Sequence, residues 1–388
     1  MAAEYDAIVI GAGSVGNPTA YFLAREGLRV LVLDELASSG QGQNKAAIGG
    51  VRATHSDPAK ITLCRESLDI FARWEAETGT DIGWKQGGYC FPAFDEKVES
   101  TLRGLLPIQA RYRLNIAWHD AGEIERIVPG INREGLRGGT YSPEDGQVSP
   151  LLAAESFTRE AVKLGAEFRY RESVSALLRD DGSVVGVETD RGTYRAKNVV
   201  NTAGVHASRI SRLAGLDLPI LPDSHEGGIS APIRAFLDPL VVDLRPGPEG
   251  RTLNFYFGQN AAGQIIFCYT PKPVLPGESR DSTYEFMPIV AARMVEVVPR
   301  LKHLTIRRVW RGLYPMTPDG SPIVGRAPGV DGFFLGVGMC GQGFMLGPGV
   351  GKSLASLVAH GRPAIDPEVF DLLSPARDLY AGKKEALK

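Results

Sequence analysis

Short unbroken apolar runs alternate along this chain with amphipathic stretches of helical period, and glycine or proline marks most of the junctions. Ala7-Ile8-Val9-Ile10 and Val30-Leu31-Val32-Leu33 are runs of the first kind. Both read as β-strands. A helix is expected between them, over about Asn17 to Glu26. Ile61, Cys64, Leu68 and Phe71 recur at helical spacing and predict an amphipathic helix from about Ala59 to Glu77. A strand-like segment follows at Gly88–Phe91. Residues 95 to 145 carry mixed signals, with a helix near Val98–Tyr112. Pro150 and Gly165 bracket a helix over about Leu151–Leu164.

Glu167–Arg171, Val174–Arg179, Val184–Thr189 and Thr193–Ala196 then read as short strands. Asp181-Gly182 and Arg191-Gly192 mark the turns, which predicts an antiparallel meander. It leads into Asn198-Val199-Val200-Asn201-Thr202-Ala203-Gly204, a buried strand ending in small residues, and a helix at about Ala207–Ala214. From 217 to 309 proline is frequent and the β-signals are short: His225–Ile233, Leu253–Phe257 and Gln264–Tyr269, interrupted by a helix at about Met287–Val298. From Trp310 the N-terminal style returns, with a strand at Gly332–Val337, the turn Gly338-Met339-Cys340-Gly341-Gln342-Gly343 and a helix starting near Phe344. No internal repeat or low-complexity linker is visible. The alternation of styles predicts two interleaved, discontinuous domains, one α/β and one α+β. Residues 1–84, 146–216 and 309–388 form the first, and 85–145 and 217–308 the sheet-rich second.

Chemistry enters at the first strand-to-helix junction. In Gly11-Ala12-Gly13-Ser14-Val15-Gly16, Gly11 lets the chain turn, Gly13 lets backbone approach a pyrophosphate, and Gly16 lets the helix pack closely on the strand. The following helix aims its positive N-terminus at the phosphates. Asp34, with Glu35 beside it, lies roughly 20 residues further on, where a carboxylate binds ribose hydroxyls. Strand, helix, second strand and acid in register point to dinucleotide binding.

The chain has 388 residues, 43% hydrophobic, enough for two domains. A formal net charge of −2 without a long basic run excludes nucleic acid as the expected partner. Four cysteines, Cys64, Cys90, Cys268 and Cys340, lack CxxC spacing, which argues against a zinc site or a disulfide framework and fits a reducing cytoplasm. No metal is expected. The first strand starts too early for a signal peptide, and no apolar run approaches the ~20 residues of a membrane span. The 46 glycines cluster at 11–16, 40–50 and 336–351, suggesting backbone close to a ligand in several places.

The C-terminal turn sharpens this. A second helix N-terminus in a dinucleotide-binding chain stabilises negative charge, which a reduced flavin carries over N1 and O2 and a nicotinamide does not. On these residues the chain resembles the flavin-dependent D-amino-acid/glycine/sarcosine oxidase family, and within it the catalytic β subunits of multimeric sarcosine oxidase and dye-linked L-proline dehydrogenase. The matching motifs are Gly11–Gly16 with Asp34, Asn201-Thr202-Ala203-Gly204, Tyr314-Pro315-Met316-Thr317-Pro318-Asp319-Gly320-Ser321-Pro322-Ile323-Val324-Gly325 and Gly338 to Leu346.

The resemblance implies FAD, a discontinuous Rossmann-type FAD-binding domain and a mainly antiparallel-sheet substrate domain that roofs the flavin. It places Lys45-Ala46-Ala47-Ile48 in the loop passing the flavin, Val174 against the adenine side, and Thr202, Ala203 and Gly204 with Gly338, Gly341, Gln342, Gly343, Phe344 and Met345 along the cofactor. Arg52 matches the position whose guanidinium clamps a substrate carboxylate, and Tyr256 a pocket tyrosine. Gly341 and Gln342 would stabilise the reduced ring. Tyr269 and His225 are weaker pocket candidates, a histidine beside a glutamate on a strand being more often a hydrogen-bonded structural pair.

Departures from the family matter as much. Gly312 stands where some relatives attach the flavin through cysteine, and Gln43–Ile48 holds no attachment histidine, so FAD should be non-covalent. Cys340 reads as a packing residue. Ile266 stands where an oxygen-activating lysine is found, and Met345 where a second carboxylate-binding lysine is found. Of these two, the first favours a dehydrogenase over a fast oxidase; the second leaves any carboxylate resting mainly on Arg52 and counts against plain sarcosine. The implied reaction is oxidation of a small amino acid or secondary amine (sarcosine, proline, glycine or an opine) by hydride transfer from the α C–H to flavin N5, the imine then hydrolysing. The electron acceptor would be oxygen, a quinone, a dye-linked carrier or a partner subunit, in a homo- or hetero-oligomer, cytoplasmic or peripheral to the inner membrane face through a partner. A flavoprotein subunit of an electron-transferring complex and an NAD(P)-dependent dehydrogenase are the alternatives.

Overall fold

The computed structural model describes residues 4–381 and 385–387. Two large sheets organise them. Glu4–Ile10 is central in the first, with Ala7, Ile8 and Val9 fully buried between helices on one face and further core on the other. Val30–Asp34 and then Glu167–Tyr170 lie parallel on one side of it. Gly192–Asn201 and then Phe333–Val337 lie parallel on the other, and Ile323–Arg326 closes that edge antiparallel. Val174–Asp180 and Ser183–Thr189 extend from Gly192–Asn201 as an antiparallel ribbon.

The structure corrects the expected meander in two ways. Glu167–Tyr170 belongs to the parallel sheet, and the runs expected at 193–196 and from 198 are one strand, Gly192–Asn201. Its first half alternates, with Tyr194 and Ala196 buried and their neighbours exposed, whereas Val199 and Val200 are buried in succession. A strand half in a ribbon and half in a covered sheet changes its hydrophobic period midway, which is why it reads as two.

Helix Pro58–Thr78 starts where the Asp57 side chain accepts the Lys60 N–H, and stops at left-handed Gly79. It packs, together with Gly16–Arg25, on the C-terminal helix Gly343–His360. A Cβ at Gly347 would lie 1.9 Å from the Ser14 carbonyl oxygen, and one at Gly349 2.2 Å from that of Leu63. These C-terminal glycines therefore serve helix-to-helix approach, not the ligand contact expected from their clustering.

The second sheet runs in the order Ile306–Met316, Leu221–Pro232, Gln264–Pro271, Thr252–Gln259, Leu240–Asp243, Tyr89–Ala93, Gly138–Ser142, Ala117–Asp120. All neighbours are antiparallel except Leu240–Asp243 with Tyr89–Ala93. Ile306–Met316 pairs with Leu221–Pro232 along its length and so crosses the boundary expected at 308/309. One face buries Phe255, Phe257, Phe267 and Tyr269 with helix Phe286–Val297. The alternate residues, Tyr256, Cys268, Thr270 and Tyr314, face a cavity shared with the first sheet.

Candidate functional site

That cavity, of about 290 Å³, runs from the first Gly-rich turn to the inner face of the second sheet. At the turn Gly11 has φ +104°, and a Cβ there would come within 2.7 Å of the Thr202 carbonyl oxygen, so only glycine fits. Thr202 Oγ1 donates to the carbonyls of Ile10 (2.8 Å) and Gly11 (3.1 Å), joining the two strand ends. Gly13, Ser14 and Val15 line the cavity. Ala12 lies behind this wall, its N–H donated to Asp34 Oδ2 (2.7 Å), while Leu36 N–H donates to Oδ1 (2.7 Å). Burial raises the Asp34 pKa and these two N–H groups hold it back. Glu35 also lines the cavity and pairs with Arg209 (2.6 Å) and His206 (3.4 Å).

Val174, Ala203 and Gly204 form one side and Ala46, Ala47 and Ile48 another, the latter loop tied to the second sheet by Trp310 Nε1 donating to the Ala46 carbonyl (2.8 Å). Of the expected cofactor contacts, Ala12, Lys45 and Gly16 lie outside the wall, Gly16 in the packing role its place in the turn predicts. Lys45 is exposed and outside the wall, because its neighbours Asn44 and Ala46 turn inward. Gly16 packs behind it against Gly11 and Thr202. Opposite lie Gly338, Gly341, Gln342, Gly343, Phe344 and Met345, so a second helix begins on the same cavity.

The residues present fit a flavin dinucleotide. A Cβ at Gly13 would have no atom within 4 Å, leaving open space where a pyrophosphate would need it. Buried Gln342 Oε1 lines the cavity with no hydrogen-bond partner among the described residues. Two helix N-termini facing one cavity suit a diphosphate at one end and a ring that becomes anionic at the other.

Under the sheet, Tyr256 Oη and Tyr314 Oη are 3.2 Å apart. The His225 ring stacks on Tyr314 (3.8 Å between centroids, 18° between planes), and its Nε2 meets Asp223 Oδ2 at 3.0 Å. His225 thus pairs with Asp223 and enters the wall as well. Burial raises both tyrosine pKa values and pushes the Cys268 thiol up to about 12, so all three are neutral at pH 7. Burial would also raise Asp223, but His225 and backbone N–H groups outweigh it and lower its pKa. Gly341, at φ +81°, lies so close to Tyr314 that a Cβ would be 2.2 Å from the ring. Tyr269 is not in the wall: its ring packs on Phe286, one residue out of phase with Cys268 and Thr270.

Arg52 lines the cavity but is 7% exposed, with Nη1 donating to the Thr54 carbonyl and Nη2 to that of Leu387. Behind it Asp145, fully buried and pushed up to about 6, accepts from Ala53 N–H (2.9 Å) and Thr54 Oγ1 (2.8 Å). Burial and the Arg52 charge lower His55 to about 4, so it is neutral at pH 7, and Lys60 (3.7 Å) is the charged partner of Glu385. Cys340 Sγ donates to the Gly338 carbonyl (3.1 Å), a packing role. Tyr89, Asn254, Thr270 and Arg280 also line the cavity. Nothing in the motifs marks them, although the alternation of Gln264–Pro271 could have found Thr270.

A parallel sheet with a Gly-rich first turn, a second helix N-terminus on the same cavity and an antiparallel roof define a dinucleotide-dependent oxidoreductase of the flavin type. The sequence profile of the family described as FAD dependent oxidoreductase matches residues 6–357, and the chain belongs to that family. It is 28% identical over 379 residues to the mitochondrial sarcosine dehydrogenase of Mus musculus, covering 94% of this chain and 41% of that protein. It is 24% identical to the sarcosine oxidase subunit beta of Rhodobacter capsulatus, covering 92% of this chain and 86% of that one. The crystal structure of an L-proline dehydrogenase from P. horikoshii superposes with a TM-score of 0.91 at 27% identity, covering 99% of this chain and 100% of that one. The chain spans less than half the length of the sarcosine and dimethylglycine dehydrogenases that it matches. Among the described residues no helix is long and apolar enough to cross a membrane.

Proposed function

We propose that this chain oxidises a small amino acid or a secondary or N-methylated amine at the carbon beside nitrogen, using non-covalently held FAD. The observation that carries this is one continuous cavity joining a glycine-walled nucleotide end to a buried end lined by two neutral tyrosines, a histidine and an arginine. The family relatives act on such amines, which supports the substrate class. Residues 1–84, 146–216 and most of 309–388 serve as the FAD-binding domain. Residues 85–145 and 217–308, with the strand through Met316, serve as the substrate domain.

Gly11, Gly13, Ser14, Val15 and Asp34 would hold the nucleotide, and the backbone from Gly341 to Met345 the ring. When bound, FAD supplies the acceptor for the electron pair and hydrogen of the C–H bond. Gly312 offers no atom for attachment. Tyr256 presents its hydroxyl to the amine; being neutral, it accepts a hydrogen bond from the amine N–H while donating to Tyr314. The substrate binds as the free amine, so hydride transfer from the carbon needs no ionised base in the cavity. Arg52 supplies positive charge toward a carboxylate, and the sheet excludes water from the reacting carbon.

Among the described residues no lysine lines the cavity, and Ile266 is buried outside it, which supports a dehydrogenase over a fast oxidase. A role as the flavoprotein subunit of an electron-transferring complex is favoured by the near full-length likeness to a sarcosine oxidase β subunit. The four cysteines are free and buried, in keeping with a reducing cytoplasm. Anaerobic titration of the yellow protein with primary, secondary and N-methylated amino acids tests the reading: one class should bleach the flavin band, and colour should return slowly in air. If dithionite bleaches it and no amine does, the amine reading fails.

A further inference from the structure

Loop 272–285 brings one exposed residue, Arg280, to the cavity wall and is pinned by the strand that carries His225. Leu275 N–H donates to Asp223 Oδ1 (2.8 Å), and its carbonyl accepts from Ser224 N–H (2.9 Å). Gly277 N–H donates to the Pro222 carbonyl (3.0 Å), and Ser224 Oγ to that of Ser279 (2.9 Å). Beyond residue 280, Arg311 donates to the Asp281 carbonyl (2.8 Å), and the Glu226 carboxylate takes both Thr283 N–H (2.7 Å) and Thr283 Oγ1 (2.6 Å). A segment held on both sides of residue 280 presents that residue in a fixed place. Of the whole loop, Arg280 alone lines the cavity.

Its guanidinium has neither ion pair nor hydrogen bond among the described residues, unlike the other cavity arginines. Arg209 is answered by Glu35, and Arg52 spends donors on two carbonyls with Asp145 close behind. The acids of the cavity wall do not reach Arg280 either. Asp34, Glu35 and Glu172 line the nucleotide end, and both oxygens of Glu226 are taken by Thr283. An unanswered, solvent-exposed cation in the wall of a partly enclosed cavity concentrates anions, and a guanidinium fork fits a carboxylate with two hydrogen bonds.

We infer that Arg280 recognises a second acidic group on the substrate, so that the preferred amines carry two carboxylates, one toward Arg52 and one toward Arg280. This rests on the amine-oxidising reading above and names its substrate class. Arg280 is a specificity residue here; the hydrogen-bonded loop presents it.

The test uses the FAD-loaded protein and thioethers, whose sulfur replaces the reacting nitrogen and blocks turnover. Binding is read from the perturbation of the flavin spectrum by methylthioacetate (one carboxylate) and by thiodiacetate and thiodipropionate (two). The wild type should bind one of the dicarboxylates at least about 10-fold more tightly than methylthioacetate, as for a hydrogen-bonded charge pair. Arg280→Ala should lose that preference with methylthioacetate binding and melting temperature unchanged, and Arg280→Lys should restore part of it. Equal binding of mono- and dicarboxylates by the wild type, or equal weakening of both in Arg280→Ala, overturns the inference and leaves the amine reading standing. If no thioether perturbs the spectrum and no amine bleaches it, both fall.

Discussion

The two ends of the cavity recognise by different means. At the Gly-rich turn the wall is main chain: Gly11, Gly13 and the start of a helix, with one carboxylate oriented by two N–H groups. Under the second sheet it is side chains, contributed by Leu221–Pro232, Thr252–Gln259, Gln264–Pro271, Ile306–Met316 and the loops around them. Main chain binds a group common to many proteins and tolerates almost no change of residue; side chains can be exchanged one at a time without disturbing the frame. The cofactor end should therefore fail completely when a glycine changes, and the substrate end should fail by degrees.

Gly13 gives the largest expected effect and the cleanest break. Because a Cβ there meets no protein atom within 4 Å, Gly13→Val should fold with an unchanged circular-dichroism spectrum yet purify colourless, its branched side chain filling the phosphate position. Gly16→Val is the contrast, since its Cβ would lie 1.8 Å from the Gly11 carbonyl oxygen and the fold itself should suffer. A yellow Gly13→Val protein would show that the turn does not carry the diphosphate.

At the other end, Arg52→Ala should keep FAD while raising KM roughly 10- to 100-fold, the worth of a charge-assisted hydrogen bond. An unchanged KM would leave Arg52 only its structural bonds to Thr54 and Leu387. Tyr256→Phe and Tyr314→Phe should each slow flavin reduction about 10-fold, and the double variant should be little slower than either. Groups that act as one hydrogen-bonded pair are not additive. Multiplying effects would mean that the hydroxyls act independently.

The same contrast decides how much of the molecule is legible in its sequence. Gly11 to Gly16 and Asp34 are legible because a backbone requirement leaves glycine at fixed spacing, and the strands around them are continuous apolar runs. The long helices are legible from their period. In the sheet end, Tyr256 is reached through family resemblance alone, and Tyr314 sits inside a recognised motif that attaches no role to it. Arg280 leaves no signal, since its placing depends on loop hydrogen bonds accepted by Asp223 and Glu226 and donated by Ser224, far away in sequence. Tyr269 misses the wall by a single step of strand phase. Lys45 shares the loop's position but not its role, because the backbone turns its side chain out.

Behind Arg52 lies a buried polar cluster whose titration sharpens the picture at a smaller scale. His55 is lowered to about 4 from an ordinary 6.5, so the unfolded chain takes up its proton first, and stability is lost as pH falls through that window. Asp145 is raised to about 6 from 3.8 by burial. The folded state therefore holds that proton more tightly, and stability rises as pH falls from about 6 toward 4. Each contribution is about 3 kcal/mol at most, so in the wild type they largely cancel. Asp145→Asn removes one side only. Its unfolding free energy should fall more steeply from pH 6 to pH 4 than that of the wild type, by up to about 3 kcal/mol in urea titrations. Parallel profiles would mean that Asp145 does not hold its proton in the folded state.

Lys45 sets the small end of the scale. It sits within the loop that lines the cofactor cavity, so a reading from sequence position gives it a phosphate contact. Its neighbours are fixed, Asn44 by Nδ2 donating to the Pro150 carbonyl (2.8 Å) and Ala46 by Trp310, and between them the Lys45 side chain faces solvent. A solvated ammonium acts on a bound diphosphate only at long range, and at 0.1 M salt that interaction is screened over about 10 Å. Lys45→Ala should therefore shift FAD affinity by less than about threefold, and the shift should vanish in about 0.5 M salt if it is purely Coulombic, a prediction resting on the same screening. A tenfold loss that persists in salt would mean that the loop turns Lys45 inward when the cofactor binds, and the main-chain character of this end would then be only part of its recognition.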